Sequence, residues 1–484
     1  MEGCPQTPGW EARKKDDLDR EQATITEGLG DHLNIDPKIK SMEQMLPDGA
    51  TIECNNVSSP LEIIRLLGAG GQGEVYEVNF AGEALAAKWY FPKIVSRDSG
   101  LAERIRETIR LTSPSESFLW PISLLEPSTQ CCDTLKIPEG SFGYLMRLRP
   151  AEFVGAINHS AARISISIRS VIRACFQLSE AFDQLHSKGL CYKDISLGNI
   201  FLSPNNGDIL ICDNDNVEEN GKNNGLALGT AGFMAPEVLL GKAKPSAESD
   251  LFSMAVLMFH LLTRSDPLKG AKELQIRCLD EPARRKLYGA DPVFIFDPEN
   301  ETNRPDPDIH QAALITWPIY PRRLQQLFEK TFGAGMKNPS VRTRTGQWCE
   351  ALAACLDHRL ICPHCGQEAF ATADEIRQCW SCGNDIESPM QLKAGHGVVF
   401  AQPDNELYPH HFNAFTTERI DEPIARVKTH PSDPGVLGLE NLSNVPWAAL
   451  CNNGQSVKVA PGKSCSLNQV STISTHLGVV ALQR

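Results

Sequence analysis

A chain of 484 residues exceeds what one hydrophobic core supports and predicts roughly two to four domains. With 41% hydrophobic and 22% charged residues it reads as a soluble globular protein, and its longest apolar stretch, LFSMAVLMFHLLT at 251–263, is too short to cross a bilayer. The net charge of -13 argues against nonspecific nucleic-acid binding, while 16 cysteines, single apart from two C-x-x-C pairs, suit reduced thiols plus one metal site better than a disulfide framework.

The polar, charged residues 1–57 show no periodicity and read as a mobile arm with one helical turn near IKSMEQML. No apolar core follows the first charges, so neither secretion nor membrane insertion is expected and a cytoplasmic location is. From about 58 to 150 the runs LEIIRLLG, GEVYEVNF, EALAAKWYF, FLWPISLLE and SFGYLMRL alternate as strands, with LAERIRETIRL as the one helical interruption. From 151 to 358 the apolar spacing becomes helical, as in VIRACFQLSEAFDQLHSKG, whose Gly189 stands where a helix ends, and SDLFSMAVLMFHLL, which opens on a Ser/Asp cap. A cysteine-bearing module at 359–386 precedes a tail, 395–484, of turn signals and short β-type runs.

Gly68, Gly70 and Gly73 form G-x-G-x-x-G between two strand-like runs, and glycines let backbone N–H groups approach phosphate oxygens. A dinucleotide fold would open a helix at the third glycine, whereas EVYEVNF continues as strand. Fifteen positions after Gly73 stands Lys88, in LAAKWY. Further on, YKDISLGNIFLSPNNGDILICDND sets Asp194, Asn199 and Asp213 around a hairpin turned at PNNGD, which brings Asn199 and Asp213 to one edge as oxygen ligands for hard cations.

In order and spacing, GAGGQGEV, AAK, YKDISLGN, CDND and MAPE resemble the protein-kinase signature set over about 60–358. The resemblance implies an α+β, bilobal protein-kinase-like fold, a small antiparallel β lobe (58–150) on a helical lobe (151–358), and an ATP- and Mg2+-dependent enzyme phosphorylating a protein substrate, with serine or threonine as the default hydroxyl. Gly68, Gly70 and Gly73 would cover the ATP phosphates, and Lys88 would hold the α and β phosphates while pairing with a glutamate of the small-lobe helix. Glu103 is preferred to Glu107, since Leu101, Ile105 and Ile109 leave it on the inward flank. Asp194 would accept or orient the substrate proton, Asn199 and Asp213 would bind Mg2+, and Met146 would gate the adenine pocket, with 147–149 as hinge. Glu237 would pair with Arg342, and Asp250 would hold the catalytic loop.

Three departures stand out. Tyr192-Lys193-Asp194 replaces the usual His-Arg-Asp, and lysine lacks the bidentate fork that answers a phosphorylated loop. Ser196 stands where a γ-phosphate lysine is common, and Asp213-Asn214-Asp215 replaces Asp-Phe-Gly, removing a packing residue and a flexible glycine. A nucleotide-binding pseudokinase scaffold is the alternative these changes motivate, with a small-molecule kinase further off.

Cys362, Cys365, Cys379 and Cys382, two C-x-x-C pairs separated by 13 residues, predict a structural zinc ribbon with no open coordination position; a redox pair is the competing idea. The tail predicts a compact β module. With FLWPISL, SFGYLMRLRP, ICDNDNV and DPVFIFDP, the whole chain resembles a bacterial group of divergent protein kinases with a cysteine-rich segment after the catalytic lobe. That likeness suggests a von Willebrand-type A protein and a metal-dependent protein phosphatase as partners, with neither nucleic acid nor membrane, and recruitment of substrate or partner by the ribbon and β tail.

Overall fold

The computed structural model describes residues 44–138, 140–222, 228–370, 377–413 and 422–483. The small lobe is a six-stranded antiparallel sheet in the order β1-β2-β3-β4-β6-β5, made of β1 (Thr51–Ile52), β2 (Leu61–Ala69), β3 (Gly73–Phe80), β4 (Glu83–Tyr90), β5 (Ser123–Leu125) and β6 (Gly143–Arg147). Central β4 is buried on both faces from Ala86 to Tyr90. Side chains alternate along a strand, so Ala87 and Trp89 join Tyr76 and Leu145 in one apolar cluster. Ala86 and Tyr90 join Leu101, Ile105, Met146 and Leu210 in another, which places Lys88 on that second face, toward the large lobe. Gly73 permits the close approach of β3 to β4, since a Cβ there would lie 2.1 Å from the Trp89 carbonyl.

Beside this sheet run helices α1 (Pro92–Arg97), α2 (Leu101–Leu111) and α3 (Thr129–Leu135). The sequence reading found only α2. Pro92 sits at the first turn of α1, where its missing N–H does no harm, and the Ser128 side chain caps α3. The run FLWPISLLE forms strand only at β5, because Pro121 cannot donate to a ladder. Residues 44–57, assigned by the sequence to a mobile arm, instead pack on the sheet. Leu46 and Ile52 are buried, the Gly49 N–H donates to Ile63 O, and the Leu46 N–H donates to the Tyr76 hydroxyl. Most of the helical turn expected near IKSMEQML lies outside the described residues.

The large lobe adds the β strands β7 (Val154–Gly155), β8 (Leu190–Cys191), β9 (Ile200–Leu202), β10 (Ile209–Ile211) and β11 (Glu218–Glu219) to the helices α4 (Ala156–Ser160), α5 (Ile168–Ser187), α6 (Pro236–Leu239) and α7 (Ala247–Thr263). Helix α5 buries Val171, Ala174, Cys175, Leu178, Phe182 and Leu185, one stripe at helical spacing, and stops at Gly189, whose φ is +74°. Helix α7 is buried almost throughout and opens on a Ser246/Ser249 capping box, one turn before the sequence reading placed its cap. Among the described residues no helix is long and apolar enough to cross a membrane.

Two small hairpins follow, β12 (Arg359–Ile361) with β13 (Glu368–Phe370) and β14 (Arg377–Gln378) with β15 (Asp385–Ile386). The C-terminal region stacks a six-stranded antiparallel sheet on a four-stranded one, starting at Gln391–Ala394. It is tied to the large lobe through Glu406, whose carboxylate accepts from Arg169 (3.2 Å) and Arg173 (3.1 Å) of α5, from Arg426 (2.7 Å) and from the Tyr408 hydroxyl (2.8 Å).

Candidate active site and metal centre

The hairpin β9–β10 pairs Ile200 with Ile211, and the Cys212 N–H donates to Asn199 O at 2.9 Å. Asn199 and Asp213 therefore flank the same end of the hairpin. The Asn199 amide nitrogen donates to Asp194 O at 2.8 Å, which turns its amide oxygen into the acceptor left for a ligand. Across the cleft, Lys88 Nζ donates to Asp213 Oδ1 at 3.0 Å, to Asp215 Oδ2 at 2.7 Å and to Gln72 Oε1 at 3.0 Å. Burial pulls the Lys88 amine down, but Asp213 and Asp215 outweigh it, and the group stands well above its ordinary pKa. The cleft is lined by Gly68, Gly70, Gly73, Lys88, Asn199 and Asp213, together with Ala69, Gln72, Val75, Gly198 and Cys212. Lys88 is the one cation among those lining residues. Asp213 has φ +55° and ψ +47°, a left-handed backbone rare outside glycine, which its surroundings must hold in place.

Asp250, on the first turn of α7, accepts the N–H groups of Tyr192 (2.7 Å) and Lys193 (2.9 Å) and lies 3.2 Å from His186 Nε2, so it fixes the loop that carries Asp194. Lys193, at φ +74°, is buried and ion-paired with Glu218. It is thus committed inside the protein rather than presented to a phosphate. The Thr230 hydroxyl donates to Asp194 Oδ1 at 2.6 Å. Farther down, Arg342 donates to both oxygens of Glu237, at 2.8 and 2.7 Å, with its own side chain fully buried.

Glu103 is not where the sequence reading put it. Its side chain is 57% exposed and pairs with Arg106 at 3.1 Å and Arg110 at 3.7 Å; Glu107 is exposed as well. The buried positions of α2 are Leu101, Arg104, Ile105 and Thr108, so the apolar residues marked the inner stripe correctly, but Arg104 and Thr108 share it and Glu103 and Glu107 do not. Arg104 pairs with Asp98 (2.9 Å at Nη1) and approaches Glu218 at 3.6 Å. Met146 is buried opposite Ala86 in the sheet, and Arg149 of the hinge lies 4.5 Å over the Phe201 ring. Ser196 is buried. Asn214, fully buried, donates to Leu119 O (2.9 Å) and Ile211 O (3.0 Å), a polar clamp where apolar packing was missing.

Sequence reasoning missed Asp215, Tyr90, Gln72 and Thr230. Asp215 was read only as a lost glycine, although an acid two residues from Asp213 could have been weighed as a lysine partner. Thr230 sits among small uncharged residues and offered no spacing signal.

The second cluster is local. In the two hairpin turns the Gly366 N–H donates to Cys362 O (2.9 Å) and the Gly383 N–H to Cys379 O (2.8 Å), with both glycines at positive φ. The four sulfurs lie within 4.8 Å of one another, with Cys362–Cys382 at 3.7 Å and Cys365–Cys379 at 3.5 Å. Four sulfurs at ~2.3 Å from a tetrahedral ion would be about 3.8 Å apart, so the donor set fits zinc. The Asn384 backbone N–H pulls the Cys382 thiol down, while Cys365, despite the Gln367 N–H, is pushed up by desolvation and its neighbouring thiols, so the four sulfurs titrate as one set.

A glycine-lined roof and a buried lysine face a carboxylate–amide pair across the cleft, the arrangement that the protein-kinase resemblance implies. Residues 146–330 match the protein kinase domain family, a stretch that holds Asp194, Asn199 and Asp213 and begins after Lys88. The chain is similar to PknA, a serine/threonine-protein kinase of Mycobacterium tuberculosis, at 25% identity over 310 residues, 62% of each protein. A serine/threonine-protein kinase/receptor of Acanthamoeba polyphaga mimivirus is 27% identical over 44% of this chain and 13% of its own length. A serine/threonine-protein kinase of Dictyostelium discoideum is 24% identical over 49% of this chain and 14% of its own length. The chain thus spans less than two thirds of each of these relatives.

Proposed function

We propose that this protein is an ATP- and Mg2+-dependent protein kinase that transfers the γ-phosphoryl group to a serine or threonine hydroxyl of a protein substrate. The observation that carries the reading is the 3.0 Å approach of Lys88 Nζ to Asp213 Oδ1 across a cleft that Asn199 also lines. Gly68, Gly70 and Gly73 leave the roof open to phosphate oxygens, and Lys88, kept charged by its carboxylates, holds the α and β phosphates. Asp213 and the Asn199 amide oxygen would hold Mg2+, which supplies charge neutralisation across the β and γ phosphates. Asp194, oriented by Thr230 and by the Asp250-braced loop, receives the substrate hydroxyl proton. Phosphorus–oxygen bond formation to the substrate and cleavage from ADP then balance with that single proton.

Lys193, sealed against Glu218, supports a loop that does not wait for a phosphate signal. The four cysteines serve a structural zinc site, and the β module and ribbon recruit substrate or partner, with a von Willebrand-type A protein and a metal-dependent phosphatase as candidates in a cytoplasmic setting. The test is radiolabelled phosphate transfer from ATP by the full chain to itself and to a general acceptor protein. Transfer should vanish in Asp194→Asn and Asp213→Asn, with nucleotide still bound by Asp194→Asn. Tight Mg-ATP binding without transfer by the unmodified protein would instead establish a scaffold.

A further inference from the structure

The carboxylates that meet Lys88 come from the Asp213-Asn214-Asp215 turn and not from α2. Helix α2 turns Glu103 and Glu107 to solvent and points Arg104 and Thr108 inward. Asp215, 1% exposed, accepts from Lys88 at 2.7 Å, the shorter of the lysine's two carboxylate contacts, and from the Tyr90 hydroxyl on the same oxygen. Lys88 and Tyr90 lie two apart on β4, so the strand's alternation aims both at that one carboxylate. With Asp213 and Gln72, the three donors of the ammonium are filled. Were Asp213 to hold a metal ion, Asp215 would be the carboxylate left to the lysine.

We propose that Asp215 is the positioning residue for Lys88, doing from the Asp213-Asn214-Asp215 turn what an acid on α2 would otherwise do. It rests on the kinase reading above. The turn is fixed by the Asn214 bonds to Leu119 O and Ile211 O, so the lysine's alignment does not depend on an acid of α2. The helix's Arg104 approaches Glu218, which holds Lys193 beside Asp194, so the inward charge of α2 is tied to the catalytic loop.

The test measures phosphate transfer and Mg-ATP affinity, by calorimetry, on the full chain and on Asp215→Asn, Asp215→Glu, Glu103→Gln and Glu107→Gln. Asp215→Asn should lower kcat/KM for ATP about a hundredfold, since a misaligned charge is enough to cost that much. KM for the protein acceptor should stay unchanged, and Asp215→Glu should recover part of the loss. Glu103→Gln and Glu107→Gln should stay within twofold of the unmodified chain. In a Lys88→Met background, Asp215→Asn should lower Mg-ATP affinity no further and should raise the melting temperature, because it removes a buried charge left without its partner.

A loss for Glu103→Gln or Glu107→Gln matching that of Asp215→Asn, or an Asp215→Asn loss undiminished in the Lys88→Met background, overturns the assignment. If the unmodified protein transfers no phosphate, the kinase reading fails by itself. Asp215 is then judged by Mg-ATP affinity, which should still drop in Asp215→Asn. Should Asp215→Asn alone fail to fold, the Lys88→Met/Asp215→Asn pair must fold, and its failure overturns the proposal.

Discussion

The four-cysteine centre and the Lys88 cleft both gather ionisable groups at one point, but they draw on the chain differently. The thiols come from two turns of matching build, with Cys362 and Cys382 only 20 positions apart. Lys88 meets Asp213 and Asp215 over 125 and 127 positions, from different lobes. The core around the four cysteines is small, with Leu360, Ala369 and Ile386 of the two hairpins and Phe400 of the C-terminal sheet packed around Cys362 and Cys379. The cleft instead rests between the apolar cores of the two lobes. A locally built site of this kind needs its ion to fold, whereas a site built between cores needs its ligand only to work.

The largest effect expected from this difference is at the ribbon. The protein should carry one zinc ion, and chelation or Cys379→Ser should open 359–386 to protease, because structural zinc binding in small modules amounts to about 10–16 kcal/mol. Mg-ATP binding at the cleft should survive the same treatment. A ribbon that stays protease-resistant without metal would erase the distinction. Next comes the cleft's support. Arg342→Met leaves Glu237 without its buried partner and should cost about 3–5 kcal/mol in denaturant melts.

The same contrast explains what could be read from sequence. The cysteine spacing carried its own geometry, as did the turn at PNNGD, where Gly207 takes φ +78° and a Cβ would lie 2.2 Å from Ser170 O. Lys88 was legible because β alternation and its distance from the glycine loop are properties of one short stretch. Its partner was not. Deciding between Glu103 on α2 and Asp215 on the turn depends on which face of α2 meets the lobe, and Arg104 could take the inner face only because Asp98 and Glu218 wait there. Residues 44–57 were misread for a related reason. Leu46 and Ile52 are too few to show a period, and their burial is supplied by the Tyr76 and Ile63 region of a sheet that follows them in sequence.

A smaller effect concerns acid. Burial lowers His159 to about 4, with its Nε2 2.9 Å from Leu261 O. The unfolded chain takes up that proton near pH 6.5 and the folded chain does not, so stability falls as pH drops from about 6.5 to about 4, by at most about 3 kcal/mol for this group. Replacing it with glutamine should flatten the pH dependence of the melting temperature by one proton across that window. An unchanged slope would mean that His159 is protonated in the native protein.

The smallest effect is the one that isolates helix α2. Glu103 and its partners Arg106 and Arg110 are all substantially exposed, and pairs of that kind contribute about 0–1 kcal/mol, less in salt. Glu103→Gln should therefore shift stability by under about 0.5 kcal/mol. Arg104→Met, one residue on but facing inward, should cost several times more, because it strips Asp98 and Glu218 of a shared buried cation. Equal losses at 103 and 104 would mean that the helix is rotated from the orientation described, and that Lys88 has an acid within reach on α2 after all.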